Sequence, residues 1–342
     1  MLRAMILGCG ARAHCHATVY PQVAGMELVA CCELDRERGE AFAAEFGIPA
    51  VYTDFAAALT EVRPDVVHIV TNPTRRVAEA EAAAAAGVRA IVLEKPIAIR
   101  PGELRRLVGI EAETGLHILT NSQRRYFPEA VSGELHEIIH ERLGDLYFVR
   151  CSTKGNLMGM GPHLMDWLLR FLNEARPEAV WAMGHGRTDE GYQQSHIAPE
   201  HLLAEYWFPG NVRVVFDCDP LAVGTPGDPR GFNCHLEFHG TRGRLSVMQL
   251  ASYWFQTESM AEPVRHEADP DNHNLGQREL TRGVVALLNE GVPHRTRLEI
   301  EAPVFEALFA AEQSVFEGRR IELPADCRDE DWESLMQRLA AG

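Results

Sequence analysis

The sequence predicts an α/β chain in two parts, an N-terminal doubly wound parallel sheet followed by an α+β domain with a mostly antiparallel sheet. Three observations carry that expectation. Short apolar runs alternate with helical patterns over the first 120 residues, a glycine-rich turn follows the first of these runs, and after about residue 123 strand-like runs succeed one another directly. A length of 342 residues suits two domains better than a single core, and the change of texture divides them at 1–122 and 123–342.

In the first domain the candidate strands are Ala4–Leu7, Glu27–Cys32, Val66–Val70, Ala90–Leu93 and Leu116–Thr120. Helical patterns lie between them at Asp35–Phe46, Arg75–Ala86 and Gly102–Thr114, with Gly47-Ile48-Pro49 and Ala86-Gly87 as stop signals. The alanine run Ala82–Ala86 reads as close helix–sheet packing with high helix propensity. In the second domain a helix (Glu129–Glu141), a strand (Leu146–Ser152) and another helix (Pro162–Leu172) come first. The strands His201–Phe208, Val212–Cys218, Asn233–Phe238 and Arg244–Met248 follow, joined by short turns such as Gly240-Thr241-Arg242-Gly243. Helices at Leu275–Leu288 and Pro303–Phe316 close the chain.

Bulk properties narrow the partners. A formal charge of −16 disfavours nucleic acid or an anionic membrane surface, while a small ligand in a local basic pocket stays compatible with it. No apolar run approaches the roughly 20 residues that span a bilayer. The opening Met1-Leu2-Arg3-Ala4-Met5-Ile6-Leu7 runs straight into a strand without a secretory pattern. Eight cysteines are scattered without metal-ligand spacing, which fits a reduced, cytoplasmic chain. Of the 33 basic residues 31 are Arg, and the only lysines are Lys95 and Lys154.

The turn after the first strand, Gly8-Cys9-Gly10-Ala11-Arg12-Ala13, has the G-x-G-x-x-A spacing of a dinucleotide site. Gly8 permits the tight turn, Gly10 lets the backbone approach a pyrophosphate, and Ala13 keeps the following helix close to the sheet. Glu33 ends the second strand, 23 residues after Gly10, near the roughly 20 expected for a ribose 2′-hydroxyl acceptor. A carboxylate there repels a 2′-phosphate, so NAD is expected over NADP, with Arg12 and Arg36 close enough in sequence to keep NADP open. Thr71 and Asn72, at the polar end of the next strand, are expected to line the same cleft.

The strand Ala90–Leu93 ends in Glu94-Lys95-Pro96. Lysine can lose its proton and arginine effectively cannot. In a chain that nearly always uses Arg, a lysine at this edge points to a tunable proton; a structural ion pair with Glu94 is the alternative.

Taken together, Gly8-Cys9-Gly10, Glu33, Thr71-Asn72-Pro73 and Glu94-Lys95-Pro96 resemble the glucose–fructose oxidoreductase/inositol dehydrogenase/MocA family. The likeness continues through Gln123-Arg124-Arg125-Tyr126-Phe127-Pro128, Gly161-Pro162-His163-Leu164-Met165-Asp166 and Gly240-Thr241-Arg242-Gly243-Arg244-Leu245. It implies a Rossmann domain and a C-terminal domain whose large open sheet serves oligomer contacts, hence a homodimer or homotetramer. It assigns Glu94 and Lys95 to the cofactor region, makes Lys95 the contact to the reacting hydroxyl and His163 the proton acceptor, and gives Arg124 to substrate binding. Where the family carries an Asp four positions before the His, this chain has Gly159. Asp166, three residues after His163, either orients the imidazole or serves as a structural cap or core hydrogen-bonding group. Lys154 and Asn156 are expected to contact substrate in place of the absent acid, with a solvated loop as the alternative.

The implied activity is hydride exchange between NAD(P) and a hydroxyl of a carbohydrate, cyclitol or sugar derivative, with His163 as base, an imidazole's unperturbed pKa of about 6.5 suiting that role. Two rival readings stand beside it: a redox-neutral sugar-modifying enzyme with tightly held NAD, and a non-catalytic dinucleotide sensor. The pattern His136-Glu137-Ile138-Ile139-His140 spells a zinc-protease motif, but no third ligand follows at a familiar spacing, so no metal is expected. His14 and His16 are read as packing, with contact of His14 to the cofactor as the alternative, and His235 and His239 as satisfied sheet residues. Tyr253, Trp254 and Phe255 suit either a substrate wall or an oligomer face.

Overall fold

The computed structural model describes residues 1–187, 196–222 and 233–341. The chain divides into two compact units, one made of 1–98, 103–126 and 273–301, the other of 99–102, 127–272 and 302–342.

The first unit is built on β1 (Leu2–Leu7), α1 (Ala11–Ala17), β2 (Met26–Cys32), α2 (Arg36–Phe46), β3 (Ala50–Tyr52), α3 (Phe55–Val62), β4 (Val66–Ile69), α4 (Arg76–Ala85), β5 (Ala90–Leu93), α5 (Pro101–Thr114) and β6 (His117–Thr120). Its six strands pair in the order β3-β2-β1-β4-β5-β6, all parallel, which is the doubly wound Rossmann order. β4 and β5 are buried along their whole length, as strands covered by helices on both faces must be. The helices start where short side chains accept the free N–H groups of the first turn: Asp35 from Arg38 N, and Asp54 from Ala57 N. Gly47, left-handed at φ 68°, stops α2. The short strand β3 was not expected; three half-buried residues leave too little periodicity to read. The segment 273–301 joins this unit because Leu280 and Val284 close its core against Leu2, Ala4, Val66 and Leu119.

The second unit carries α6 (Pro128–Val131), α7 (Glu134–Glu137), β7 (Leu146–Thr153), α8 (Leu157–Phe171), β8 (Ala179–Arg187), β9 (Pro199–Phe208), β10 (Val212–Cys218), β11 (Cys234–Gly240), β12 (Gly243–Val247), β13 (Tyr253–Thr257) and β14 (Val264–His266). After α9 (Asn272–Glu290), which lies almost wholly in the first unit, it resumes with α10 (Leu298–Glu317), β15 (Ile321–Glu322) and α11 (Asp329–Ala340). Among the described residues nine strands form one sheet in the order β14-β13-β12-β11-β7-β10-β9-β8-β15. All neighbours are antiparallel except β7 and β10, so the expected mostly antiparallel sheet is found. Alternating burial along β10 and β11 shows one face packed, and α8 lies against β7, β9, β10 and β11.

Two helices differ from the sequence reading. The helix expected from Pro162 starts at Leu157 because Asn156 caps it: the Asn156 side chain accepts from Gly159 N at 2.7 Å, and Pro162 sits inside the first turns. The helix expected over Glu129–Glu141 breaks at Gly133, left-handed at φ 87°, and ends in a π-turn over Ile138–Arg142.

Candidate active site

Because the strands of the first sheet are parallel, the ends of β1, β2, β4 and β5 share one edge. Gly8 leaves β1 at φ 88°, and a Cβ there would lie 3.0 Å from the Val70 carbonyl oxygen, so only glycine fits. Beside Gly10 the space a Cβ would fill is clear. Ala13 is fully buried with Ile6, Cys31 and Phe42, and a larger residue would push α1 off the sheet. Thr71 Oγ1 donates to Glu79 Oε2 at 2.5 Å, and Asn72 accepts from Thr74 N at 3.1 Å, so the β4 end is held by its own side chains.

Glu33 follows β2 directly and is buried. Its Oε2 accepts from Cys9 N at 2.8 Å, and its Oε1 from Arg38 Nη2 at 2.6 Å and Asp35 N at 3.2 Å. Burial alone would raise this carboxyl, but Arg38 and the two backbone donors hold it below the usual range. A carboxylate has about four acceptor positions, so one remains on Oε2 for a ribose hydroxyl. The cleared glycine turn and the pinned acid fit an adenine dinucleotide. Arg38, one turn into α2, was missed by sequence reading; Arg36, considered instead, pairs with Glu40 at 2.8 Å.

Lys95 and Glu94 follow β5 and are both buried. Glu94 Oε1 accepts from Arg12 Nη2 (2.8 Å) and Nε (3.2 Å), from Asn121 Nδ2 (2.7 Å), and from His16 Nε2 (3.1 Å). Burial would raise the Glu94 carboxyl, yet Arg12, His16 and Lys95 overcome it and keep it well below its ordinary value. For Lys95 burial dominates. Glu94 opposes it, Arg12, Arg124 and Arg76 reinforce it, and the ammonium is brought down to about 8. Arg124 is itself buried in the 3₁₀ turn Gln123–Tyr126. The structure thus gathers Arg12, Glu94, Lys95 and Arg124 at one strand end, and adds His16, which sequence reading had set aside as packing. His14 does pack, with Phe42 and Phe46 at ring distances of 5.1 and 5.5 Å.

In the second unit His163 and Asp166 lie three residues apart on α8 and are both buried. Asn156, also buried, caps α8, and its Nδ2 donates to His196 O at 2.7 Å, so its side chain is engaged at the helix start. Lys154 precedes it, half-buried, with its N–H on Asn233 O. Gly159 is buried inside the first turn. His136 and His140 use their Nε2 atoms on Asn173 Oδ1 and Phe171 O. His235 bonds Ser246 Oγ at 2.8 Å, and Tyr253, Trp254 and Phe255 form β13.

A Rossmann sheet with this glycine turn and acid defines a dinucleotide-binding domain. Residues 2–122 match the family model described as an oxidoreductase family with an NAD-binding Rossmann fold. The protein is an NAD-dependent oxidoreductase. It is similar to trans-1,2-dihydrobenzene-1,2-diol dehydrogenase of Mus musculus, 24% identical with 79% of this chain and 80% of that one covered. It is 33% identical to D-apiose dehydrogenase of Paraburkholderia graminis over 36% of this chain and 32% of that one. A solved oxidoreductase from Agrobacterium radiobacter, in complex with NAD+, L-tartaric acid and magnesium, shares the fold at a TM-score of 0.79 and 17% identity, over 94% of this chain and 98% of that one. Among the described residues no helix is long and apolar enough to cross a membrane.

Proposed function

We propose that the protein is a dehydrogenase or reductase that moves hydride between NAD and a hydroxyl-bearing carbon of a carbohydrate, cyclitol or sugar derivative. The observation that carries this reading is Lys95: a buried lysine, brought down to about 8, beside a fixed carboxylate at the edge of an NAD-binding sheet. NAD, when bound, supplies the hydride acceptor or donor. The Lys95 ammonium donates a hydrogen bond to the reacting oxygen and stabilises the negative charge that grows there as the proton leaves. We assign the role of proton acceptor to His163. Glu94 keeps the ammonium in place without acting on substrate.

The relatives support the substrate class, since the named substrates of the two dehydrogenases above are a 1,2-diol and a sugar. We assign Arg124, Lys154 and Asp166 to holding such a hydroxylated ligand, with Asn156 fixing the loop that carries Lys154. The first unit is the cofactor domain, and the second is the substrate domain. The open face of the nine-stranded sheet, with exposed Trp181, Met183 and Leu203, is assigned to contact between copies of the chain. Eight cysteines, none of them in a disulfide, suit a cytoplasmic location.

The test is a panel of sugars, cyclitols and 1,2-diols with NAD and with NADP, followed by absorbance of the reduced cofactor. Reduction with at least one hydroxylated substrate is expected, and its loss in Lys95→Met completes the assignment. Gly159, standing where an acid is expected from the resemblance, favours a second reading in which oxidation is transient and the cofactor is restored. Substrate consumption without net NADH would select that one. No turnover of any of these compounds, together with NAD binding, would leave only a sensor.

A further inference from the structure

The hydrogen bonds beneath Glu94 all point the same way. Tyr20 Oη lies 2.8 Å from His68 Nε2, His68 Nδ1 lies 2.9 Å from His16 Nδ1, and His16 Nε2 lies 3.1 Å from Glu94 Oε1. His16 and His68 are completely buried and Tyr20 nearly so. The proton positions follow from the charged end of the chain. An ionised carboxylate only accepts, so His16 must give it Nε2–H. Burial first of all holds both imidazoles below their ordinary value, so each is neutral and carries one N–H. His16 Nδ1 is therefore an acceptor, His68 Nδ1 is its donor, His68 Nε2 accepts, and the Tyr20 hydroxyl donates. Asn121 Nδ2 lies 3.2 Å from His16 Nε2 but closer, at 2.7 Å, to the Glu94 oxygen to which it donates, so the two N–H groups converge on one carboxylate oxygen, whereas the reversed chain would set a bare His16 Nε2 against that carboxylate.

We propose that His16, His68 and Tyr20 are positioning residues whose one-way hydrogen-bond chain holds Glu94 ionised and fixed, and thereby sets the proton affinity of Lys95. The inference rests on the reading above only in taking Lys95 as the group that matters. The wiring is read at Lys95 itself, without turnover. Charged and titratable groups press on this pair from every side. Arg12 and His16 come from α1, His68 from β4, Arg76 from α4 and Arg124 from the 3₁₀ turn. Glu79 and Glu103 face Arg76. Arg76 donates to the carbonyl oxygens of Pro96 and Thr71 and feels the charge of Glu94 most strongly among its acidic neighbours. Arg12 and Asn121 remain on Glu94 when the chain is cut, so the chain supplies part of the hold. Without the His68 donor, His16 is free to move its proton to Nδ1, which presents a bare Nε2 to the carboxylate. Glu94 then shifts or takes up a proton, and Lys95 loses part of the negative field that keeps its ammonium.

Two lysines in 342 residues make the test direct. Protein labelled with [13Cε]lysine gives two lysine signals, and Lys154→Arg identifies the one from Lys95. In His68→Leu the Lys95 titration should move down by about half a pH unit or more. His68→Asn, which returns an N–H at the δ position, should stay within about 0.2 of the wild type. A structural role alone predicts the reverse order, because a buried leucine disturbs an apolar interior less than a buried amide does. Tyr20→Phe removes only the terminal hydroxyl and should move the titration in the same direction by less. A His68→Leu titration that overlays the wild type overturns the proposal, as does an equal movement in His68→Asn. Should His68→Leu fail to fold, Tyr20→Phe decides alone: a downward movement supports the chain, and none overturns it. If Lys95→Met leaves turnover intact while these titrations move as expected, the catalytic reading falls and the positioning chain stands.

Discussion

The β5 end of the first unit and helix α8 of the second each present candidate catalytic side chains, but they are built by different means. At the β5 end Glu94 is reached by Arg12 and His16 from α1 and by Asn121 beyond β6, with His68 of β4 behind His16. Each of these contacts spans a long stretch of sequence. On α8, His163 and Asp166 are brought together by helical spacing alone, and the start of the helix is set by the neighbouring Asn156. Many elements converging on one carboxylate tune a pKa; one capped helix places a side chain. Lys95 should therefore answer to its surroundings, and His163 to the integrity of a single turn.

The sharpest test of that contrast is Lys95 itself. Lys95→Met should lower kcat/KM by about 10³, within the 10²–10⁴ range of a positioned proton-transfer or hydrogen-bonding group, while NAD affinity measured calorimetrically changes little. Lys95→Arg should do no better, since a planar guanidinium cannot take the place of a compact point charge at a buried site. In the direction of alcohol oxidation the ammonium form is the active one, so wild-type activity should fall as pH rises through about 8. That alkaline limb should vanish in Lys95→Met. The stability linkage has the opposite sign. An unfolded Lys95 keeps its proton to about 10.5 while the folded one has released it by about 8, so between those values this group makes the fold more stable as pH rises. An alkaline limb unchanged in Lys95→Met would break the assignment.

His163→Asn should cost about 10² in kcat with a smaller change in KM, because a base acts in the transition state. A loss confined to KM would make His163 a binding group and leave α8 without a proton acceptor. The two regions then differ in pH response as well, since only the Lys95 variant should remove the alkaline limb.

How far each region could be read from sequence follows the same divide. The Rossmann sheet, the glycine turn, Glu33 and Glu94-Lys95-Pro96 were legible because each is a local pattern with a fixed offset from a strand. The mostly antiparallel second sheet was legible from consecutive strands, although β8 and β13–β15 were not. β14 and β15 are very short, and β8 and β13 alternate too weakly between buried and half-exposed positions. The chain from Tyr20 through His68 to His16 was invisible, for nothing local marks a histidine in an apolar strand as the partner of another one 52 residues away. Arg38 was passed over for Arg36 because two residues of helical rotation decide which guanidinium turns toward Glu33, and periodicity does not resolve that choice. Asn156 was expected at substrate because it lies in the stretch between a strand and the His163 helix, where it could stand in for the absent acid. Its capping role was within reach of the sequence, since an Asn acceptor paired with the N–H of Gly159 is the ordinary signature of a helix beginning at Leu157.

Cofactor choice gives a smaller effect at the β2 end. Glu33→Gln removes the charge that repels a 2′-phosphate and frees Arg38 to meet one. The ratio of NADP to NAD affinity should rise by about tenfold, or about 1.4 kcal/mol. Arg38→Ala in the same background should return most of that gain. No change in the ratio would mean that the ribose does not meet Glu33.

The smallest effect belongs to the α8 cap, and it separates placement from chemistry. Asn156→Ala removes the acceptor for Gly159 N and the donor to His196 O in a buried site, and should lower stability by about 1–2 kcal/mol. Asn156→Asp keeps the acceptor and should recover the part due to the cap, seen as a higher midpoint in thermal unfolding. If His163 depends on that one turn, kcat should fall by a few-fold in Asn156→Ala and recover in Asn156→Asp, with the alkaline limb near pH 8 unmoved because Lys95 belongs to the other network. A limb that moved with the cap would mean that the two regions share one electrostatic system, and the contrast between them would fail.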